Sequence, residues 1–359
     1  MISEIDTPAL LIDLDAMERN ISTLAGFFRG KKGKAFRPHF KTPKAPIIAW
    51  KEIRSGAIGI SCQKVSAAEV LVSSGINDLL ITNEVVGARK IRKMIGLRMH
   101  APGLMVCVDN LDVAKATSGE ALRKGVKISV LVDVNVGQNR CGVEPGKPAV
   151  ELAEGISKLR GLEFKGIQVY NGRLQMLDQR EDTEAKKRAI EHSNELTVMT
   201  REAIEEAGMD VEYVSGAGTG TYRQQYEVMT EVQAGSYPLM DWRYHISAPE
   251  FDRALSILTS VISTPSREKA VVDCGYKCAS TDSGMPIVKD VEGVDYRTAG
   301  DEHGILSLQE GSTKIELGDK VELYPSHCDT TINLYDKYYG MRDGEVEVVW
   351  DIVARGKSQ

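Results

Sequence analysis

The chain has 359 residues, of which 42% are hydrophobic and 27% are charged, and its formal net charge is −6. This composition is typical of a soluble globular protein with enough apolar material for a large domain and a second one. We expect no nucleic-acid partner and no membrane partner, because the charge is negative and no apolar run reaches the ~18 residues of a bilayer span. The start lacks a signal-peptide pattern and the six cysteines are scattered, so a cytoplasmic protein with free thiols is predicted.

Between about residues 35 and 234, β-branched runs alternate with amphipathic segments. The predicted strands are Ala35–His39, Ala57–Cys62, Asp78–Thr82, Leu104–Asp109, Ile128–Asn135, Glu163–Tyr170, Val211–Ser215 and Glu231–Ala234. The predicted helices include Pro43–Ser55, Ser66–Ser74, Asn110–Arg123, Pro148–Leu159 and Asp182–Glu206. This alternation predicts parallel strands with crossover helices, and eight strands favour a closed (β/α)8 barrel. An open doubly wound sheet would usually carry a Gly-x-Gly-x-x-Gly turn after its first strand, and the sequence has none there.

After about residue 250 the pattern changes to strand-like runs separated by Gly, Asp and Ser turns. The predicted strands are Leu255–Thr264, Lys269–Asp273, Lys320–Tyr324 and Val346–Ala354. Such a series predicts a mostly antiparallel β domain, and the strand-like segment Thr7–Leu14 is expected to pair with it. The predicted fold class is therefore α/β, with a barrel over residues 15–248 and a β domain formed by residues 1–14 and 249–359.

Lys41 stands where a barrel enzyme places its reactive groups, directly after the first barrel strand. Thr42 is a suitable helix N-cap and Pro43 fits the first helical position, so we expect a helix to begin immediately after Lys41. A lysine that binds a cofactor covalently must lose its proton, which nearby cations favour. The cations close in sequence are Arg37, His39 and Lys44. The alternative is an ordinary surface lysine in a loop.

Two loops rich in glycine and hydroxyl side chains follow the last two barrel strands. They are Ser215–Thr221, which contains Gly218 and Thr219, and the tripeptide Gly235, Ser236 and Tyr237. Loops at these positions of a barrel often bind phosphate, because backbone N–H groups approach the anion where no side chain intervenes. The two loops indicate a phosphate monoester site, although loops are also rich in such residues without a ligand.

Polar residues at other strand ends are expected to line the same barrel mouth. They are Gln63 after the second strand, Arg140 after the fifth, and Gln168 and Tyr170 at the end of the sixth. The period of two along a strand places Gln168 and Tyr170 on one face, toward the barrel interior. Arg140 could pair with a cofactor oxygen or form a surface salt bridge, and the other three could equally serve packing or capping.

His327 and Asp329, near the end of the chain, form a candidate metal site. If this stretch is extended, the two side chains share a face and Cys328 points away. An imidazole and a carboxylate, completed by water, suit Mn²⁺, Mg²⁺ or Zn²⁺, and the alternative is a structural hydrogen bond. Cys274 and Cys278 also have a metal-like spacing, but no second pair completes a zinc site.

These motifs resemble the group of D-threonine aldolases, D-serine dehydratases and 3-hydroxy-D-aspartate aldolases, fold type III pyridoxal-phosphate enzymes with the barrel of alanine racemase. The resemblance covers nearly the whole chain. It rests on Thr7–Asp15, Arg37–Lys41, Cys62–Glu69, Gly166–Tyr170, Ser215–Thr221, Gly235–Tyr237 and His327–Thr330. In D-serine dehydratases the metal motif reads His-x-Cys, whereas residue 329 here is Asp, and this favours the D-threonine aldolase branch.

The resemblance implies that Lys41 carries pyridoxal 5'-phosphate and that His327 and Asp329 hold a divalent metal. It places around the cofactor Gln63, Arg140, Tyr170, Thr219, Gly235, Ser236 and Tyr237, to which the loop and strand-end patterns add Gln168, Ser215 and Gly218. His39 and Arg173 are candidates for substrate contact. Arg173 stands where some D-threonine aldolases carry a histidine, and it cannot act as a base because it stays protonated.

The predicted function is retro-aldol cleavage of D-β-hydroxy-α-amino acids, of the D-threonine or D-phenylserine type, to glycine and an aldehyde. One alternative is cleavage of 3-hydroxy-D-aspartate to glycine and glyoxylate, with Arg173 and Arg223 near its distal carboxylate. Another is dehydration to a 2-oxo acid and ammonia, and a racemase would need a second base. A non-catalytic cofactor-homeostasis protein is the alternative of another class. The expected partners are a D-amino-acid substrate and, by resemblance, a second copy in a homodimer.

Overall fold

The computed structural model describes residues 2–175 and 183–359, which form two compact units. The barrel unit comprises Ala25–Lys41, Ile48–Gly235 and Lys357–Gln359, and the β unit comprises Met1–Leu24, Thr42–Ile47 and Ser236–Gly356. The predicted domain boundaries at residues 15 and 248 stay a prediction. Among the helices in the described ranges, none is both long enough and apolar enough to cross a membrane.

The elements alternate between strand and helix up to β9 and are mostly strands afterwards. The strands are β1 (Ala9–Asp13), β2 (Ala35–Phe36), β3 (Ile60–Cys62), β4 (Leu79–Ile81), β5 (Met105–Val108), β6 (Ile128–Asp133), β7 (Leu162–Val169), β8 (Tyr213–Gly216), β9 (Glu231–Val232), β10 (Leu255–Ser266), β11 (Lys269–Val272), β12 (Ile287–Val288), β13 (Val294–Thr298), β14 (Gly304–Leu308), β15 (Lys320–Tyr324), β16 (Lys337–Arg342) and β17 (Glu345–Asp351). The α-helices are α1 (Leu14–Phe28), α2 (Pro46–Arg54), α3 (Val65–Ser73), α4 (Ala88–Arg98), α5 (Leu111–Arg123), α6 (Lys147–Ser157), α7 (Thr183–Glu206), α8 (Tyr222–Gln225), α9 (Trp242–Ser247) and α10 (Cys328–Ile332), and 3₁₀ helices span Ile2–Glu4 and Gly172–Gln175. The predicted start of the α7 helix at Asp182 lies outside the described residues.

Eight parallel strands form the sheet of the barrel unit, in the order β2-β9-β8-β7-β6-β5-β4-β3. The two end strands are joined by a bridge between His39 and Ser61, at which Phe40 N donates to Ser61 O and Ser61 N donates to Pro38 O, each at 2.8 Å. β4 and β5 are buried along their whole length, as expected for parallel strands covered on both faces. The predicted barrel is therefore confirmed.

A nine-stranded, mostly antiparallel sheet forms the β unit. Its β1 strand pairs antiparallel with β10 and parallel with β16, so the predicted pairing of the N-terminal strand with this domain is confirmed. Four short strands of two to six residues were not predicted from the sequence, namely β12, β13, β14 and β16. In β13, for example, buried residues alternate with the exposed Asp295 and Arg297, and such a short polar-apolar alternation resembles a loop.

The helix after Lys41 begins at Pro46, so the predicted start with Thr42 as N-cap and Pro43 as first helical residue is wrong. Residues 41–43 form a turn, and Lys44 has a positive φ of 49°, which a helix does not accommodate. The Thr42 hydroxyl donates to Asp329 Oδ1 at 2.7 Å instead of capping a helix. The Thr42 hydroxyl, which the local pattern predicted to cap the helix, therefore binds a residue that is distant in sequence.

Candidate active site

Lys41 follows the segment that closes the barrel, and a histidine holds its backbone there. The Lys41 N–H donates to His39 Nδ1 at 3.1 Å, and the Lys41 residue is half-buried. Because His39 itself forms the closing bridge with Ser61, the backbone of Lys41 is fixed relative to β3 as well as to β2. The predicted position of Lys41, after the first barrel strand, is the one observed.

The hydrogen bonds of His39 define its tautomer. Nδ1 accepts from Lys41, and Nε2 lies 2.9 Å from Thr82 Oγ1. The Thr82 hydroxyl donates its own proton to Cys62 O at 3.2 Å, so it accepts from Nε2–H. His39 is therefore assigned as a neutral imidazole that is 8% exposed, with both nitrogens used inside the barrel unit. Its contact with a substrate stays a prediction.

Two of the cations expected to favour deprotonation of Lys41 are engaged in other contacts. The Arg37 side chain is 1% exposed and forms ion pairs with Glu231, at 2.9 Å, and with Asp78. Lys44 Nζ donates to Ala354 O at 3.5 Å, within the β unit. These contacts do not support the expectation that Arg37 and Lys44 serve Lys41 as unpaired cations.

The glycine-rich loop after β8 is held in shape by one side chain. Gln175 Oε1 accepts from Gly220 N at 2.8 Å, and Gln175 Nε2 donates to Thr221 Oγ1 at 2.8 Å. Ala217 has a positive φ of 55°, and a Cβ on Gly218 would lie 2.8 Å from Gln175 Oε1. A Cβ at residue 218 would therefore displace the Gln175 amide, which holds the loop through Gly220 and Thr221.

Two buried polar atoms at the strand ends have no hydrogen-bond partner among the residues that the structure describes. They are Thr219 Oγ1, in a residue that is 3% exposed, and Gln63 Oε1. Buried polar atoms are nearly always satisfied, so such atoms indicate a bound ligand or water. A hydroxyl in a preorganised, glycine-rich loop at the carboxyl end of β8 fits the phosphate group of pyridoxal 5'-phosphate.

Ser215 and Gln168 belong to a buried hydrogen-bond network inside the barrel unit. Ser215 Oγ donates to Glu231 Oε1 at 2.6 Å, and Gln233 Nε2 donates to Ser215 Oγ at 2.8 Å. Gln168 Nε2 donates to Asp133 Oδ1 at 3.0 Å. Burial raises the pKa of Asp133, although the bond from Gln168 opposes this shift. Direct contact of Ser215 and Gln168 with the cofactor stays a prediction.

The arginines at the strand ends differ in their surroundings. The structure brings Arg140 and Tyr170 together, with the guanidinium carbon 5.8 Å from the ring centre. Arg173 is exposed on the 3₁₀ helix after β7. Arg223, considered above for the distal carboxylate of a substrate, lies over the Phe27 ring at 5.2 Å, a cation–π contact that explains its place in the fold.

The predicted loop after β9 consists of Gly235, which belongs to the barrel unit, and Ser236 and Tyr237, which belong to the β unit. Ser236 O accepts from Met240 N at 2.8 Å. The Tyr237 ring is fully buried and packs against Phe251 with ring centres 5.6 Å apart. Their cofactor contacts stay predictions.

His327 and Asp329 meet in the β unit, though through a different backbone from the one expected. His327 has an extended backbone and is the N-cap of α10, which begins at Cys328, so the stretch is not extended beyond His327. His327 Nε2 lies 3.1 Å from Asp329 Oδ2, while Cys328 is fully buried. The side chains of His327 and Asp329 therefore meet at the start of a short helix and not along a strand.

Three carboxylates act on this one imidazole. Asp329 contacts Nε2, Asp282 Oδ2 lies 2.7 Å from Nδ1, and the buried Asp241 caps the backbone at Cys328. Burial lowers the pKa of His327, but the bonds with Asp329 and Asp282 outweigh it and raise the pKa to about 9. Burial raises the pKa of Asp241 to about 6. This surplus of carboxylates around a single imidazole favours the binding of a cation.

The pair fits a divalent ion. His327 Nε2 and Asp329 Oδ2, which form a hydrogen bond of 3.1 Å here, are also spaced like two neighbouring ligands of an octahedral ion, which lie about 3 Å apart when the bonds are about 2.1 Å. Within residues 2–175 and 183–359, three potential ligands converge at Glu84, Asp109 and Cys141 but not at His327. Water would therefore complete the coordination of an ion at His327 and Asp329.

Cys274 and Cys278 are buried free thiols, and the cysteines of the described chain are all unbridged. They hydrogen-bond to each other, and this bond lowers the pKa of Cys278. Among the described residues, no group of three potential metal ligands includes them.

Three supporting residues were not found by sequence reasoning. They are Gln175, which is 45 positions from Gly220, Asp282, which is 45 positions from His327, and Thr42, which is 287 positions from Asp329. None stands in a local motif, since Asp282 lies in an ordinary polar turn, Ser280–Ser283. Only the tertiary fold shows what these side chains contact.

Two protein-family models match the chain. The one described as "Alanine racemase, N-terminal domain" matches residues 12–241, and the "Putative serine dehydratase domain" matches residues 254–341. The 3-hydroxy-D-aspartate aldolase of Paracoccus denitrificans (strain Pd 1222) is 39% identical over 99% of this chain and 93% of its own. The D-threo-3-hydroxyaspartate dehydratase of Delftia sp. (strain HT23) is 28% identical over 97% of each chain. The crystal structure of D-threonine aldolase from Filomicrobium marinum has a TM-score of 0.95 and 40% identity, over 99% of this chain and 97% of that one.

Proposed function

The chain belongs to the alanine racemase-like, fold type III family of pyridoxal-phosphate enzymes, and from this premise we propose that it is a lyase that cleaves the Cα–Cβ bond of D-β-hydroxy-α-amino acids. The products are glycine and an aldehyde. The proposed substrates are of the D-threonine or D-phenylserine type, and 3-hydroxy-D-aspartate, which gives glycine and glyoxylate, is the alternative. Similar proteins named for both aldolase activities support the reaction class.

One observation carries the proposal. In the barrel unit, His39 accepts from the backbone N–H of Lys41, and the glycine-rich loop held by Gln175 contains Thr219 Oγ1, which has no hydrogen-bond partner in the described part of the chain. A lysine amine and a phosphate-binding loop at the carboxyl ends of barrel strands are the two attachments that pyridoxal 5'-phosphate requires. The position of Lys41 and the chemistry of the loop therefore support this cofactor.

We assign covalent attachment of the cofactor to Lys41 and its phosphate to Gly218 and Thr219. When bound, the cofactor supplies an electron sink for the electrons of the broken bond. His39 fixes the backbone of Lys41 and Gln175 fixes the phosphate loop, so both attachments are preorganised. The other proposed contacts are Gln63, Arg140, Gln168, Tyr170, Ser215, Gly235, Ser236 and Tyr237.

We assign a divalent ion, Mn²⁺, Mg²⁺ or Zn²⁺, to His327 and Asp329. When bound, such an ion supplies Lewis acidity that lowers the pKa of the substrate's β-hydroxyl. Thr42, the residue after Lys41 in sequence, donates to Asp329 Oδ1 and orients that carboxylate. Arg173 contributes no proton acceptor, because a guanidinium stays protonated.

Product analysis tests the proposed reaction. The protein loaded with pyridoxal 5'-phosphate and Mn²⁺ is incubated in turn with D-threonine, D-phenylserine and 3-hydroxy-D-aspartate, with L-threonine as the control. We expect glycine and the matching aldehyde in equal amounts from the D-substrates and no turnover of the control. A 2-oxo acid and ammonia without glycine would identify a dehydratase instead. Exclusive cleavage of 3-hydroxy-D-aspartate would select the alternative substrate.

Removal of divalent ions tests the metal assignment in the same assay. A chelator should suppress cleavage while the visible absorbance of the bound cofactor persists, and added Mn²⁺ should restore activity. Undiminished cleavage in excess chelator would reject a metal role for His327 and Asp329.

A further inference from the structure

Asp282 contacts the proposed metal-binding histidine on the side opposite Asp329. Asp282 Oδ2 lies 2.7 Å from His327 Nδ1, whereas Asp329 Oδ2 lies 3.1 Å from Nε2. The two nitrogens of an imidazole point away from each other, so a single ion cannot be bound at both. One of these carboxylates can share an ion with the ring, and the other can only orient the ring.

The contacts of the two carboxylates distinguish these roles. Asp282 Oδ1 accepts from the hydroxyls of Ser280 and Thr330, each at 2.7 Å, and Oδ2 accepts from the Ser283 hydroxyl at 3.3 Å besides facing His327. The Asp282 side chain is 43% exposed, but its two oxygens are engaged by four protein groups, which makes it better suited to accept a hydrogen bond from the ring than to bind a metal ion. Asp329 Oδ1 accepts from the Thr42 hydroxyl, while Asp329 Oδ2 faces Nε2 of His327.

The turn that carries Asp282 is joined to the helix that carries Asp329. Thr330 Oγ1 donates to Asp282, and Ser280 N donates to Thr331 Oγ1 at 3.3 Å. Thr330 and Thr331 directly follow Asp329 in α10. The orienting carboxylate and the ligand pair are therefore held as one assembly within the β unit.

We propose that Asp282 is a positioning residue of the metal site. Its carboxylate accepts a hydrogen bond from Nδ1–H of His327 and so directs Nε2 toward a divalent cation shared with Asp329. This inference rests on the proposed function, in which His327 and Asp329 bind the ion. A hydrogen bond to the distal ring nitrogen fixes the tautomer and orientation of a ligating histidine and increases its basicity.

The test measures Mn²⁺ affinity directly. Bound ions are removed from the cofactor-loaded protein, and Mn²⁺ is titrated in competition with a fluorescent chelator. The Asp282→Asn variant keeps the shape of the side chain but not its charge, and Asp282→Ala removes the acceptor, so we expect each to bind Mn²⁺ about 10–100-fold more weakly. Asp295→Asn, an exposed aspartate on β13, is the matched control and should retain the wild-type affinity.

A milder variant and two further measurements distinguish a local effect on the metal site from misfolding. Thr330→Val removes one of the donors to Asp282 Oδ1 and should weaken Mn²⁺ binding by less than about tenfold. The visible absorbance of the cofactor and the unfolding midpoint are recorded for every variant. A local positioning role predicts weaker Mn²⁺ binding with both of these readouts unchanged.

Unchanged Mn²⁺ affinity in both Asp282 variants would overturn the inference and leave the proposed function intact. Binding that survives Asp329→Asn but is lost in Asp282→Asn would also overturn it, because the ion would then lie at Nδ1. A wild-type protein that fails to bind Mn²⁺ would remove the proposed metal site and this inference together.

Discussion

His39 shows how one side chain sets the surroundings of the proposed cofactor lysine. Its neutral ring accepts from the backbone of Lys41 and donates to Thr82, so its polar atoms are satisfied inside the barrel unit. A histidine two residues before a lysine suggested a cation or a substrate contact from the sequence. The hydroxyl of Thr82, which donates to Cys62 O and faces His39 Nε2, argues against a cationic ring, and it becomes a neighbour of His39 only in the folded barrel. The substrate contact of His39 stays a prediction.

We expect His39→Leu to lower the free energy of unfolding by about 0.5–1.5 kcal/mol, because it removes the acceptor of the part-buried Lys41 N–H. His39→Asn offers a carbonyl acceptor and should lose less. Urea unfolding of the two variants measures the difference, with His192→Asn on the exposed face of α7 as control. Equal stability of the leucine variant and the wild type would show that the assigned hydrogen bonds contribute nothing.

The residues of the proposed metal site could be predicted only in part from the sequence. The residue types of His327 and Asp329 indicated a divalent ion, and the two side chains do meet. The backbone that brings them together is the N-cap of α10 and not the extended stretch that the sequence analysis considered. Asp282 could not be found, since nothing local links a polar turn to a histidine 45 positions later.

Among the elements, barrel closure depends on a short bridge. The ladder order runs from β2 through β9 to β3, and the bridge between His39 and Ser61 joins its two ends. Beneath this junction, Arg37 is buried with Glu231 as its ion-pair partner. The alternation of strand-like runs with amphipathic segments predicted the eight strands, but it carried no information on a charged pair inside the barrel.

Gly59, just before β3, is where this closure tolerates no side chain. A Cβ there would clash with Arg37 Nη1 and lie 2.6 Å from Asp78 O, whereas a Cβ on Gly56 would meet nothing within 4 Å. Both residues have a positive φ, 157° for Gly59 and 112° for Gly56, so backbone strain is present at both. We expect Gly56→Ala to cost about 1–3 kcal/mol.

The Gly59→Ala variant should cost at least about 2 kcal/mol more than Gly56→Ala, because displacing Arg37 disturbs a buried ion pair. The free energies of unfolding of the two alanine variants provide the comparison. Equal losses would mean that the ion pair of Arg37 does not depend on the space at Gly59.

The start of α2 shows why local signals fail at element boundaries. Thr42 and Pro43 form a good start signal, yet the helix begins at Pro46. The Thr42 hydroxyl is used by Asp329 and the Pro43 carbonyl by Tyr338 Oη, at 2.9 Å. Asp329 and Tyr338 lie almost 300 positions away in sequence, so a local capping pattern cannot predict their contacts.

For the whole molecule, the change of pattern near residue 250 was enough to predict an α/β barrel and an antiparallel β domain, because their hydrophobic periods differ. The substrate was less predictable. Proteins named as aldolases and as a dehydratase are similar to this chain over nearly its full length, so the fold does not select the reaction. The selection of the reaction must come from individual side chains rather than from the fold.

The most direct test of the account locates the cofactor on the chain. Protein loaded with pyridoxal 5'-phosphate is reduced with borohydride, which makes the attachment permanent, and its peptides are analysed by mass spectrometry. We predict the added mass on Lys41, its loss in Lys41→Ala, and its persistence in the control Lys90→Ala on the exposed face of α4. A modification on another lysine, or none at all, would contradict the account.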